Sequence, residues 1–176
     1  MRPVFGQAAL PGGTAVLSPC GGYRYRLGRV WDPGGPAVTF VLLNPSTADA
    51  GADDPTCRRC LGFARAWGAG SLAIVNLFAA RATDPAALRL LADPEGPEND
   101  RHLLEAAAGP GLLVCGWGTG GALLGRGPRV AARLVAAGAA LWCLGETRDG
   151  HPRHPLYLAA GTPRRPYPVP AEGRGG

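Results

Sequence analysis

The stretch AVTFVLLNPSTADAGADDPT, residues 37–56, sets the class of fold. Val38, Phe40, Val41, Leu42 and Leu43 form an apolar run without alternation, the mark of a strand buried on both faces. The run stops at Asn44-Pro45-Ser46-Thr47, and the carboxylates Asp49, Asp53 and Asp54 follow. Asp54 before Pro55 reads as a helix start, because its side chain can cap free backbone N–H groups and proline suits the first helical position. Cys57, Cys60, Leu61, Ala64 and Trp67 then recur at helical spacing and predict a helix that closes at Gly68. A doubly buried strand feeding a helix is the repeating unit of a parallel sheet.

The same unit recurs downstream. SLAIVNLF (71–78), GLLVCGWG (111–118) and AALWCLG (139–145) read as buried strands. PAALRLLA (85–92), PENDRHLLEAAAG (97–109) and RVAARLVAAG (129–138) read as helices between them. Ahead of the first strand, Tyr23, Tyr25 and Leu27 alternate with Arg24, Arg26 and Gly28, as in a half-exposed edge hairpin. The expected fold is therefore α/β: three layers, α/β/α, around a central, mainly parallel four-stranded sheet, plus a small N-terminal β-hairpin. One domain is expected over residues 14–160, with residues 1–13 and 161–176 irregular, the latter rich in Pro and Gly.

Composition narrows the function classes only loosely. The 176-residue chain carries a formal charge of +5, all 18 of its cations at Lys and Arg positions being Arg. That is compatible with nucleic acid but falls short of a dense basic patch. No apolar run approaches the ~18 residues of a membrane span, and the first residues lack a signal-peptide core. A cytoplasmic protein with no membrane partner is the expectation. The five Cys are an odd number, which argues against a disulfide framework. Cys57 and Cys60 form C-x-x-C, but both fall on the buried stripe of their helix and read as core. No metal site and no cofactor is expected. The sequence carries no signal for oligomeric state.

In a parallel sheet, ligands bind outside the carboxyl ends of the strands. The first strand ends at Asn44, which either closes an Asx turn or offers an amide to the crevice. Asn76 sits in an otherwise apolar strand, where an unpaired amide costs roughly 1–3 kcal/mol, so either a structural partner or a ligand must meet it. The third strand runs into Gly116-Trp117-Gly118-Thr119-Gly120-Gly121, which lacks the phosphate-loop Lys-Ser/Thr and does not complete G-x-G-x-x-G. After the fourth strand come Arg148, His151, Arg153 and His154, a loop able to donate protons near neutral pH. Asp49 and Asp53 have no capping role and are candidates to position water.

The segments VLLNPSTADAGADDPTCRRCLGFARAWG, NLFAARATDP, GPENDRHLL and HPRHPLYL together closely resemble a bacterial and phage family catalogued as domain of unknown function sixteen forty-three, over roughly residues 23–160. More distantly, the order of strand ends is similar to the uracil-DNA glycosylase superfamily. That resemblance implies a water-positioning role for Asn44 with Pro45, Ser46 and Thr47 around it. It implies base-edge reading by Asn76, a "WG" strand end at Trp117-Gly118, and stabilisation of the departing base by His154 or His151. Phe78 and Trp117 are the stacking candidates, and Arg148, Arg153, Arg164 and Arg165 the phosphate candidates. The chain departs from the pattern in having Ser46 where Gly is usual and no Ser after either His-Pro. The implied partner is a nucleobase, nucleotide or nucleic acid, with hydrolysis of an N-glycosidic bond as the reaction. A non-catalytic binder and a metal-dependent hydrolase using the Asp cluster and the His pair are the alternatives.

Overall fold

The computed structural model describes residues 11–169, so residues 1–10 and 170–176 of the ends expected to be irregular fall outside the described residues. Its strands are β1 (Gly13–Leu17), β2 (Arg24–Val30), β3 (Ala37–Leu42), β4 (Ser71–Asn76), β5 (Leu112–Cys115), β6 (Leu141–Cys143) and β7 (Arg165–Pro166). Its α-helices are α1 (Pro55–Ala66), α2 (Asn99–Ala108) and α3 (Arg126–Ala136). All the strands join one sheet in the order β1-β2-β4-β3-β5-β6-β7. The contiguous strands β4, β3, β5 and β6 are parallel, as expected of doubly buried runs.

The sheet is wider than the four strands expected. The N-terminal hairpin is no separate ornament, because β2 pairs antiparallel with β4 from Leu27↔Ile74 to Val30↔Ser71. Only β1 is an edge. The Tyr-Arg alternation holds in part: Tyr25 and Leu27 are buried and Arg26 is exposed, but Arg24 is buried too, as is Arg29 farther along, and each donates to a backbone carbonyl. At the other edge β7 pairs antiparallel with β6, and Tyr167 beside it is buried, so packed structure continues past residue 160.

Helices cover both faces. On one face α1 sets Cys57, Cys60, Phe63 and Ala64 against Phe40, Leu42, Leu72 and Ile74. On the other, Leu103 of α2 and Val130, Ala131 and Leu134 of α3 meet Val41, Val75, Leu113 and Cys115. Alternate residues of one strand thus serve opposite cores, which is why these strands carry apolar residues on both faces. Helix α1 forms where expected: Asp54 accepts the Cys57 N–H at 2.7 Å, Pro55 opens the helix, and Gly68 beyond its end has φ +76°. PAALRLLA does not make an α-helix. It forms a 3-10 turn, Pro85–Leu90, in which only Leu88 is buried and Leu90 is 87% exposed, so no apolar stripe rewards further winding. No helix among the described residues is long and apolar enough to cross a membrane.

The chain order places a switch point. From β3 the chain crosses to β4 on one side, and from β4 it returns over the other face to β5 on the opposite side of β3. Crevices in open parallel sheets lie where connections diverge in this way.

Candidate functional site

Backbone bonds bring the strand ends together. Beyond the ladder, Leu77 N–H donates to Leu42 O and Phe78 N–H to Leu43 O, both at 2.9 Å, while Gly116 N–H donates to Val41 O at 2.8 Å. The loop after β6 is tied to the end of β5 because Gly118 N–H donates to Pro152 O at 2.7 Å. Gly118 holds φ +68°, and a Cβ on Gly116 would stand 3.0 Å from the Pro155 ring and 3.1 Å from Leu42. Both glycines let the His-Pro loop sit directly on the sheet end.

These contacts enclose a cleft of about 480 Å3 at the switch point. Leu43 and Asn44 contribute from β3, Trp117 to Gly120 from β5, and Thr147, Arg153, His154 and Tyr157 from the loop after β6, with Pro85 across from them. Asn44 Nδ2 donates to Ala82 O at 2.8 Å and to Pro45 O at 3.0 Å, so its amide nitrogen holds the loop that carries Pro85. Asn44 closes no Asx turn, since its Oδ1 accepts no hydrogen bond among the described residues; its nitrogen ties two loop carbonyls, and the residue lines the cleft.

His154 Nδ1 accepts the Leu156 N–H at 3.2 Å. In the neutral ring that assigns the proton to Nε2, leaving a donor. Burial lowers the pKa of His154 from its ordinary 6.5, with Asp54 pulling weakly the other way, so the ring is neutral near pH 7. Tyr157 follows three residues later in a 3-10 turn, where i and i+3 side chains share a face. Its ring lies 5.6 Å from that of His154, and the residue is 80% exposed at the cleft rim.

The other expected residues are placed as follows. Trp117, Gly118 and Arg153 line the cleft. Pro45 is buried, Thr47 is exposed, and Ser46 lines a smaller hole described below. Phe78 is wholly buried in the core. His151 is half-buried and does not line the cleft; its N–H donates to Thr147 Oγ1 at 3.1 Å. Arg148 is exposed away from the cleft. Arg164 stacks over Trp67 and Trp142, and Arg165 pairs with Glu146 at 3.1 Å. Asp49 and Asp53 do not face the cleft. Asp49 accepts the Gly51 N–H at 2.8 Å, and Asp53 pairs with Arg29 at 2.9 Å and accepts from the Cys57 thiol at 3.2 Å. Asp49, Asp53 and the His pair do not converge: among the described residues no group of three or more His, Cys, Asp or Glu is placed to hold a metal.

Four of the five cysteines sit in the two cores, Cys57 and Cys60 on the α1 face, Cys115 and Cys143 on the other, and Cys20 is exposed. Burial, reinforced by Asp53, pushes the Cys57 thiol up to about 12, which is the setting of an inert thiol.

Behind the partition formed by Asn44 and His154 lies a second, much smaller hole of about 30 Å3. Arg24, Ser46, Asp54 and Asn76 line it with Leu27, Leu42 and Ile74. Asn76, expected at a ligand, is 1% exposed and faces this hole, not the cleft. Neither of its side-chain atoms has a protein partner, and Arg24 Nε has none either. Sequence reasoning missed Arg24, because a charge alternating on a strand reads as solvent-facing. It also missed Tyr157, whose spacing from His154 within His-Pro-Leu-Tyr was the available signal.

A family model described as Protein of unknown function (DUF1643) matches residues 24–156, and the chain belongs to that family. No curated protein matches the chain, and no solved structure does.

Proposed function

We propose, with that membership as premise, that the chain binds the nucleobase of a nucleotide or nucleic acid in the cleft between the ends of β3 and β5. The observation that carries this reading is that His154, whose neutral ring keeps a proton on Nε2, and Asn44, whose Oδ1 accepts no hydrogen bond among the described residues, both line one cleft with apolar walls. A planar ligand with both acceptor and donor edges answers that pair. Tyr157 offers an aromatic face at the rim, and Arg153 a cation for a phosphate outside it. The volume of about 480 Å3 is of the size that takes a drug-sized ligand.

The finer reading, hydrolysis of the N-glycosidic bond, rests on the order of the strand-end motifs and their likeness to the uracil-DNA glycosylase superfamily. In that reaction the C1′–N bond breaks and its electron pair leaves with the base. A hydrogen bond from His154 to a base oxygen would stabilise the charge that develops there. Water oriented by Asn44 Oδ1 would add its oxygen to C1′ and release its proton. A non-catalytic binder is the second reading, and one observation favours it: among the described residues no carboxylate lines the cleft to take that proton.

Both readings are tested by titrating uracil, hypoxanthine and their nucleotides against the Trp fluorescence of wild type and Asn44→Ala, and by scoring abasic sites in oligonucleotides carrying altered bases. Saturable binding weakened in the variant supports the site, and abasic sites made only by wild type support hydrolysis. Binding without cleavage leaves the non-catalytic reading. No binding to any of these ligands refutes the nucleobase site.

A further inference from the structure

We infer that the hole behind Asn44 and His154 is an internal water site, and that Asn76 and Arg24 are its anchors. The need for an occupant comes from the unpaired atoms. Asn76 Oδ1, Asn76 Nδ2 and Arg24 Nε are buried without protein partners in one place. Buried polar groups are paired in nearly all folded proteins, by protein or by ordered water. The hole's volume of about 30 Å3 exceeds the roughly 10–15 Å3 of probe-occupied space a water requires, so one or two waters fit.

Charge selects water over an ion. Arg24 is a buried cation, its Nη1 donating to Ala48 O at 2.7 Å, and it repels any metal ion. Asp54 lines the same hole and repels an anion. The two charges offset each other, and the remaining needs are two donors and one acceptor on the wall. A water meets these with its lone pairs toward Arg24 Nε and Asn76 Nδ2 and one proton toward Asn76 Oδ1. Its second proton is left for another polar group of the wall. The Cys57 thiol also lines the hole, but it already donates to Asp53.

The partition gives this site a role. Asn44 and His154 line the hole on one side and the cleft on the other. Asn76 therefore acts as a positioning residue: it reaches the cleft through the water and the back of these two side chains, without touching a ligand. The water site stands whether or not the ligand is a nucleobase.

The test is direct. Crystals diffracting to about 1.5 Å should show a water within hydrogen-bond distance of Asn76 and Arg24 Nε, and water-selective NOE spectra should give cross-peaks to the Asn76 amide protons. Asn76→Leu, which keeps the branched side-chain skeleton without polar atoms and is bulkier, should lose that water. It should also shift the NMR titration midpoint of His154 downward, because an apolar neighbour deepens the burial of the ring. A dry hole in the wild type, or an Asn76 amide paired directly to protein, overturns the water site. An unmoved His154 midpoint overturns the positioning role. If Asn76→Leu does not fold, the wild-type spectra still decide the water, and Asn76→Ser, which keeps one hydroxyl, reads the His154 shift.

Discussion

Replacing Asp54 should separate helix capping from charge in the wall behind the cleft. Asp54 is 7% exposed and accepts two backbone N–H groups, Cys57 at 2.7 Å and Ala48 at 3.3 Å. Truncating an N-cap costs about 0.5–2 kcal/mol. Leaving the Ala48 N–H buried and unpaired adds about 1–3 kcal/mol. Asp54→Ala should thus destabilise by about 1.5–5 kcal/mol. With a urea m-value of about 2 kcal/mol/M, the midpoint falls by about 0.8–2.5 M. Asp54→Asn keeps a cap oxygen and should retain most of that stability. What it loses is the carboxylate charge facing Arg24, which is itself held by Ala48 O, so Ala48 links cap and cation. Urea unfolding followed by circular dichroism, at equal m-values, reads both variants. An Asp54→Ala cost below about 0.5 kcal/mol would refute the capping argument, since it would lie within the range of an inert surface change. Equal damage from both variants would assign the effect to charge.

Two further outcomes follow from single groups. Tyr157→Ala should leave stability within about 0.5 kcal/mol, since the side chain is 80% exposed, but should weaken nucleobase binding by about 5- to 150-fold if each stacked base contributes about 1–3 kcal/mol; unchanged affinity in the fluorescence titration removes Tyr157 from the site. Acid should destabilise in two stages, read as the unfolding midpoint against pH. Burial lowers His102 and His154 from 6.5, so the unfolded chain binds protons first and stability declines as pH falls below about 6.5. Burial raises Asp100, but the bonds and charges of Arg126 and Arg133 outweigh it and hold the carboxyl below its ordinary 3.8; its contribution is present above that pH and is lost as pH falls through the lower folded value. A midpoint flat from pH 7 to pH 5 contradicts the histidine stage.

The parts of the fold that could be read from sequence are those where one periodicity decides. The parallel strands declare themselves because Val41 and Phe40 serve opposite cores, so both faces of the run are apolar apart from Thr39. Helix α1 declares itself through Asp54-Pro55. The hairpin's place was hidden by Arg24 and Arg29, whose burial depends on carbonyls from residues 48, 49 and 52, distant in sequence. The site divides the same way. Asn44, Trp117 and Gly118 lie within three residues of a strand end and meet in the cleft, whereas Arg153 and His154, ten and eleven residues past β6, reach it because the Gly118 N–H holds their loop through Pro152 O. Asp49 and Asp53 lie seven and eleven residues past β3, and there the loop's own bonding to Arg29 takes them elsewhere.

The position of Asn76 carries a last consequence. Its own carbonyl accepts from Asn99 Nδ2 at 2.8 Å, and the next one, Leu77 O, accepts from Asn99 Nδ2 at 3.0 Å and from Arg126 Nε at 2.9 Å. Arg126 is in turn held by Asp100 at 2.7 Å and Glu95 at 3.3 Å. The end of β4 is therefore fixed by buried charge from the α2 and α3 face, whereas the Asn76 side chain faces the hole with Ile74 and Leu42, on the α1 side. A strand end held this firmly cannot rotate to pair its own amide. An unpaired amide would otherwise be relieved by a small backbone shift, at a cost far below the roughly 1–3 kcal/mol of leaving it bare. The rigidity supplied by Asn99 and Arg126 thus keeps Asn76 aimed at the hole, and water, not rearrangement, is what satisfies it.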